Sequence, residues 1–181
     1  WQERAASYRQ RLDDMGLDGP LSIHGPFLDL NPVSWDSKVR QAARERFSEA
    51  YQAACALGAE KIIYHTCFVP MTNLLDGWAE RMTEFWRDFM EGRDSGVSVC
   101  LENVFDPEYA PLGKIVREVD HPAFGLCLDI GHANCFSPYP AEEWLQELSP
   151  YIRHLHLHDN HGKQDEHLGI GQGDLSWESV L

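Results

Sequence analysis

The sequence has 181 residues, and its 15 Lys and Arg against 29 Asp and Glu give a formal net charge of −14. Hydrophobic residues make up 43% of the chain, which is enough for a buried core and too many for a disordered protein. The sequence contains neither an apolar run of about 18 residues nor an N-terminal signal peptide, so we expect a cytoplasmic protein without a membrane partner. The acidity weighs against nucleic acid as a partner but leaves a local basic groove open.

Short β-rich runs alternate with longer amphipathic stretches, which predicts an α/β fold of parallel strands joined by helices. A first helix is predicted over residues 1–15. Ser34 is the expected N-cap of a long helix that Gly58 ends, and further helices are expected over residues 75–89, 112–119 and 141–148. Five strands are predicted, at residues 21–27, 61–68, 97–104, 124–129 and 154–159. No linker divides the chain, so we expect one domain over residues 1–181.

Each predicted strand separates polar from large aliphatic side chains, because successive residues of a strand point to opposite faces. Glu102, for example, lies opposite Val99 and Leu101. The metal-capable residues that fall in the same phase are His24, His65, Asp129, His154, His156 and His158. Aliphatic residues that face surrounding helices, with polar residues inside near the strand ends, predict a (β/α)8 TIM barrel. Since only five strands are found, we expect a barrel that lacks its first strand and its last two.

Imidazole and carboxylate groups at converging strand ends are ligands typical of transition metals rather than of Ca or Mg. A single buried histidine is more often a packed core residue than a ligand. Five strands in matching phase are poorly explained in that way, so we predict a site for a divalent metal, Zn or Mn, with one to three ions.

Five stretches in chain order carry a family resemblance. They are Ser-Ile-His-Gly-Pro-Phe at 22–27, Ile-Tyr-His at 63–65, Cys-Leu-Glu-Asn at 100–103, Cys-Leu-Asp-Ile-Gly-His at 127–132 and the histidine-rich segment at 154–173. With these motifs the chain resembles the xylose-isomerase-like TIM barrels. That superfamily joins sugar isomerases and epimerases with the endonuclease IV type of AP endonuclease family 2.

The resemblance implies metal ligands at the matched positions. It places the central bridging carboxylate of the family at Glu102, with Asp129 and His156 as ligands of the same ion. It places His24 and His65 on a second ion. Each of these positions holds the residue type that the family uses.

A third ion, present in the multi-metal members, would be held by His132, Asp165 and His167. The family has one further ligand, a Glu on the last barrel strand, and the sequence stops at Leu181 without a counterpart. The resemblance therefore implies eight ligands here, and we expect the incomplete barrel to lack part of the catalytic machinery.

The first implied function is a sugar or sugar-phosphate isomerase or epimerase, which transfers a proton next to a carbonyl with the help of a divalent metal. In the resembling epimerases, the carboxylate at Glu102 binds metal and exchanges the proton, and the position of His132 contacts substrate. We therefore predict Glu102 and His132 as catalytic residues. His158 and His161 lie near the barrel mouth and are predicted to contact the substrate, a small sugar or sugar phosphate.

The second implied function is a multi-zinc phosphoester hydrolase of the endonuclease IV type. The eight ligand positions favour it. Three features favour the sugar enzymes. The chain has Leu-Glu-Asn-Val where that branch has Leu-Glu-Asn-Thr, it has Asp-Ile-Gly-His where that branch has Asp-Thr-Cys-His, and its net charge is −14. A barrel that binds a metal or small molecule without turnover is the third alternative. The identity of the sugar and the formation of a homo-oligomer stay open.

Overall fold

Parallel strands and helices alternate along the chain in the computed structural model, which describes residues 2–73, 75, 77–94 and 96–180. Trp1, predicted in the first helix, and Leu181 lie outside these residues. The strands are β1 (Ser22–His24), β2 (Lys61–His65), β3 (Ser98–Glu102), β4 (Phe124–Asp129) and β5 (Ile152–His156). The helices are α1 (Gln2–Asp14), α2 (Ser37–Leu57), α3 (Trp78–Met90), α4 (Ala110–Val119), α5 (Ile130–Phe136), α6 (Ala141–Leu148) and α7 (Trp177–Val180). None of the described helices has the length and apolarity needed to cross a membrane.

The five strands form one parallel sheet in the order β1-β2-β3-β4-β5, so every strand pairs with its neighbours in sequence. This sequential order is that of a (β/α) barrel, whereas a doubly wound sheet reverses its order at a switch point. The register places His65 beside Glu102 across β2 and β3, and Asp129 beside His156 across β4 and β5. The prediction of an α/β fold with part of a TIM barrel is confirmed.

Large aromatic side chains fill the layer between the outer face of the sheet and the helices. Tyr64 of β2 donates a hydrogen bond of 2.7 Å from its hydroxyl to the Phe47 carbonyl, and its ring lies 5.5 Å from that of Trp86. Further side chains of this layer are fully buried: Trp78, Met82, Phe89, Leu101 and Phe124. Because apolar burial holds the outer face, the inner face is left for polar residues.

The prediction of Ser34 as the N-cap of the long helix is wrong. Asp36 is the N-cap of α2, and its carboxylate accepts hydrogen bonds from the backbone amides of Lys38 and Val39. Ser34 instead accepts a hydrogen bond from the Asp36 amide. Gly58 ends the helix in a left-handed conformation (φ 68°), as predicted.

Several element boundaries also differ from the prediction. β1 ends at His24 instead of residue 27. β5 runs from Ile152 to His156 rather than over 154–159, because Asp159 leaves the sheet and pairs antiparallel with Leu168. The short helix α5, which follows β4 directly, is not predicted by the sequence pattern. It carries His132 over the end of the sheet.

Candidate metal centre

Glu102, the last residue of β3, lies at the centre of the polar inner face and is only 1% exposed. Its Oε2 atom lies 3.2 Å from His24 Nε2 and 3.6 Å from His65 Nε2. Its Oε1 atom lies 2.8 Å from His156 Nδ1 and 3.8 Å from His132 Nδ1. The two oxygens of one carboxylate therefore face two different pairs of imidazoles.

The electrostatics of this cluster keep Glu102 ionised. Burial alone would raise the pKa of Glu102, but hydrogen bonds from His156 and His24 outweigh it and lower the pKa to about 2. The same hydrogen bonds raise the pKa of His156 and His24. Burial lowers the pKa of His65 to about 4. An ionised carboxylate and a neutral imidazole are the protonation states that bind metal ions.

Asp129 ends β4 and caps α5, so the motif Asp-Ile-Gly-His follows from local structure. Its Oδ1 atom accepts a hydrogen bond of 2.8 Å from the His132 backbone amide. Asn103 binds the Asp129 backbone on both sides, through an amide donor at 2.9 Å and a carbonyl acceptor at 2.8 Å. The backbone carbonyl of Asn103 also lies 2.8 Å from His132 Nδ1. That contact places the Nδ1 proton and leaves Nε2 of His132 as an electron-pair donor.

A second group of side chains gathers around Asp165, which lies in the segment after β5. Asp165 Oδ2 is 3.3 Å from His132 Nε2. Asp165 Oδ1 is 2.9 Å from His167 Nδ1 and 3.5 Å from His158 Nε2. The rings of His158 and His167 are stacked, with centroids 4.0 Å apart.

Four groups of side chains have potential ligand atoms that all lie within 4.8 Å of one another. They are His24, His65 and Glu102; Glu102, Cys127 and His156; Glu102, Asp129 and His132; and His132, His158, Asp165 and His167. These nitrogen, oxygen and thiol donors fit a transition metal such as Zn or Mn. The structure brings together all eight residues predicted as ligands, while their role as ligands stays a prediction.

Two members of these groups, Cys127 and His158, were not predicted as ligands. Cys127 lies in β4 in the same phase as Asp129, so the alternation of side chains contained its signal, whereas His158 lies beyond the end of β5. His158 was predicted to contact substrate; it is buried beside Asp165 and lines the cavity above the cluster, so this contact stays a prediction. His161, the other predicted substrate contact, is exposed and pairs with Glu166 at 2.8 Å.

A cavity of about 600 Å³ opens above the cluster and is lined by its histidines and carboxylates together with Phe27, Leu155 and Leu157. A neighbouring cavity of about 310 Å³ shares Phe27 and His65 with it and is otherwise lined mostly by apolar residues. Neither Lys nor Arg occurs among the described residues that line these two cavities.

Asp159, which follows β5, fastens the segment that carries Asp165 and His167. Its carboxylate accepts hydrogen bonds from the Trp177 indole at 2.8 Å and from the backbone amide of Gly171 at 2.9 Å. Backbone hydrogen bonds of 2.8 Å join Asp159 and Leu168 in both directions. Asp159 therefore organises the segment and touches none of the predicted ligands in these contacts.

The family model for the xylose isomerase-like TIM barrel matches residues 1–181. The chain belongs to this family. An uncharacterized protein of Methanocaldococcus jannaschii, MJ1311, is 34% identical over an alignment of 177 residues, and the match covers 89% of this chain and 58% of that protein. The chain thus spans about three fifths of the length of this curated relative. A protein of Mycobacterium leprae named "Probable endonuclease 4" is 25% identical over an alignment of 179 residues, and the match covers 90% of this chain and 67% of that protein.

Two solved structures have a similar fold. A D-tagatose 3-epimerase-like protein superposes with a TM-score of 0.85 at 28% identity, covering 98% of this chain and 70% of that one. The TTHB071 protein from Thermus thermophilus, soaked with ZnCl2, superposes with a TM-score of 0.79 at 29% identity, covering 95% of this chain and 68% of that one.

Proposed function

We propose that the protein is a divalent-metal-dependent sugar isomerase or epimerase that transfers a proton at the carbon next to a carbonyl. The observation that carries this proposal is the position of Glu102. It is buried and ionised between two pairs of imidazoles, at the floor of an open cavity whose described lining contains neither Lys nor Arg. Such a lining suits a neutral polyol better than a phosphate ester, and a sugar phosphate is the less favoured substrate.

A bound Zn or Mn ion would supply charge stabilisation for the oxygen of the carbonyl as the adjacent carbon loses its proton. Glu102, Asp129 and His156 are proposed to hold this ion, and His24 and His65 a second one. Glu102 is proposed to accept the proton as well, since its carboxylate is unprotonated at neutral pH. His132, fixed through the Asn103 carbonyl, is proposed to contact the substrate. His158, which lines the cavity, and His161, which is exposed and lies outside the described lining, are the remaining proposed substrate contacts.

The number of proton-transfer groups separates the two sugar reactions. An isomerase moves one proton between adjacent carbons on one face of the intermediate, which a single carboxylate can do. An epimerase removes and returns a proton on opposite faces and needs a second group across the substrate. Since the chain spans about 70% of the D-tagatose 3-epimerase-like structure, both reactions are tested in the full gene product.

Phosphoester hydrolysis is the second candidate function. The four groups of potential ligands and the similarity to "Probable endonuclease 4" favour it. The absence of Lys and Arg from the described cavity lining, together with the net charge of −14, opposes the approach of a polynucleotide.

The test is proton exchange in D2O. The full gene product is incubated with Mn²⁺ and a panel of neutral aldoses and ketoses, and deuterium entering the carbon next to the carbonyl is followed by NMR. Exchange that is lost in Glu102→Gln and retained in His121→Gln supports the proposal, because His121 lies in the turn before β4, at the other end of the sheet. Cleavage of DNA with an abasic site, without exchange in any sugar, would establish the hydrolase instead.

A further inference from the structure

We infer that His158 is the fourth ligand of a closed zinc site with His132, Asp165 and His167, and that this ion is structural. It would fasten residues 160–176, which form one wall of the mouth, to the end of the sheet. The inference rests on the metal dependence of the proposed function. It assigns one ion to stabilising the structure and not to the proposed proton transfer.

The potential ligand atoms of the four side chains all lie within 4.8 Å of one another, which is close enough for one bound ion. Zinc with bonds of about 2.0–2.1 Å holds its ligand atoms about 3.3–3.4 Å apart in a tetrahedron. Asp165 oxygens lie 3.3 Å from His132 Nε2, 3.5 Å from His158 Nε2 and 2.9 Å from His167 Nδ1. Three imidazoles thus surround one carboxylate at ligand-to-ligand spacing.

The environment of His158 supplies a second observation. The side chain is buried, with the residue only 7% exposed, and neither ring nitrogen has an aligned hydrogen-bond partner among the described residues. An oxygen of Asp129 lies 3.0 Å from its Nε2 and also accepts the amide of His132. A buried imidazole whose carboxylate neighbours are not aligned for hydrogen bonding gains by binding a metal ion through one of its nitrogens.

Four protein ligands give this ion a different role from that of an ion with three. Catalytic zinc keeps one position open for water or substrate, whereas structural zinc is enclosed by four protein ligands. With His158 in place, a tetrahedral ion beside Asp165 has no open position, and His132 and His158 would contact this ion instead of the substrate. The chemistry therefore belongs to the groups that share Glu102, which is not a member of this one.

The ligands come from three parts of the chain, so an ion would connect them. His132 lies in α5 and His158 follows β5, while Asp165 and His167 lie in the segment 160–176. His167 has a side chain that is 61% exposed and a left-handed backbone (φ 51°), which non-glycine residues rarely adopt. Zinc would hold the segment at Asp165 and His167, whereas Asp159 holds it near Gly171 and Trp177.

The test combines zinc binding with limited proteolysis, because Lys163 places a trypsin site inside the segment. In the full gene product we expect zinc to slow cleavage after Lys163, and removal of zinc with a chelator to restore it. In His158→Asn we expect the zinc concentration needed for protection to rise at least about tenfold, since even indirect partners of a ligand change affinity by roughly 10–100-fold. His121→Asn is the matched histidine control and should behave as the unmodified protein.

A second readout needs no change at His158. In Glu102→Gln, which removes the shared carboxylate and leaves this group intact, bound Co²⁺ should show the intense visible absorption of tetrahedral coordination. Weak absorption bands, typical of five or six ligands, in Glu102→Gln would overturn the inference. Cleavage after Lys163 that does not depend on zinc, or an unchanged zinc affinity in His158→Asn, would overturn it as well. Zinc-dependent protection without sugar exchange would refute the proposed function and leave this site standing.

Discussion

Gly131 lies directly against the imidazole of His158, so that a Cβ atom at position 131 would overlap the ring. Gly131 is the third residue of the Asp-Ile-Gly-His motif and lies in the first turn of α5. The glycine is needed here for close approach, because its missing side chain is the space that His158 occupies. The motif at the end of β4 is thus matched to the histidines that follow β5.

Gly131→Ala should therefore displace His158 from the group around Asp165. We expect a loss of about 1–3 kcal/mol in the free energy of unfolding, as for other overpacked interiors, and weaker zinc binding at this group. Urea denaturation and zinc titration measure the two effects. The control is Gly113→Ala in α4, where the new Cβ would meet no atom closer than 3.3 Å. Equal behaviour of the two variants would contradict the prediction.

Asp106 should make stability fall as the pH rises. Burial raises the pKa of Asp106 to about 6 from 3.8, although its Oδ2 atom accepts hydrogen bonds from the Thr66 hydroxyl and the Val104 amide. The folded protein then binds this proton more tightly than the unfolded chain, so stability is lost between pH 3.8 and about 6.

Asp106→Asn removes this titration and keeps an acceptor for both donors. Relative to the unmodified protein, the variant should gain roughly 2–3 kcal/mol of unfolding free energy between pH 4 and pH 7. Urea denaturation of metal-free samples at the two pH values measures the change. A difference between the two proteins that is independent of pH would show that Asp106 does not titrate in this range.

Phe27 should contribute to substrate binding rather than to catalysis. Its ring is stacked on that of His65, with centroids 4.4 Å apart, and it lines both mouth cavities. Phe27→Ala should raise KM for the sugar about tenfold, with a smaller change in kcat, because a packing surface common to ground state and transition state is removed. Phe105→Ala is the control, since Phe105 lines only the neighbouring cavity. A fall in kcat alone would contradict this assignment.

The imidazoles around Glu102 should report its charge in the metal-free protein. The hydrogen bond that each ring donates to Glu102 raises the pKa of His24 and of His156 above 6.5. In Glu102→Gln both pKa values should fall, and NMR titration of the histidine rings measures them. His158 is the internal control, because its raised pKa depends on Asp129. If all three histidines shift together, the variant has disturbed the whole sheet.

The sequence predicts that the polar residues converge at one edge of the sheet, because this convergence depends on two local rules. Side chains alternate along each strand, and the ends of neighbouring parallel strands meet at one edge. Glu102 and His65 are 37 positions apart, yet they occupy paired positions of β3 and β2. Spacing along the chain does not determine that pairing, but the shared phase of the strands does.

The role of His158 depends on contacts that strand alternation does not describe. Its ring contacts Gly131 and Asp165. Gly131 lies in the helix α5 and Asp165 in the segment after β5, so neither belongs to a strand. The helix α5 has seven residues, too few to show a helical period. The start of β5 is missed for a related reason, since its pairing with β4 is irregular between Leu126 and Cys127 and a bulge cannot be recognised from alternation alone.

Membership of Glu102 in three of the four ligand groups makes the site unequally vulnerable to mutation. A change at His24 or His156 affects a single group, and the remaining groups keep all their members. A change at Glu102 breaks three groups in one step and spares only the one around Asp165. Within a set of related barrels, the residue at this position would thus separate chains that keep all the shared ligand groups from chains that keep only the fold.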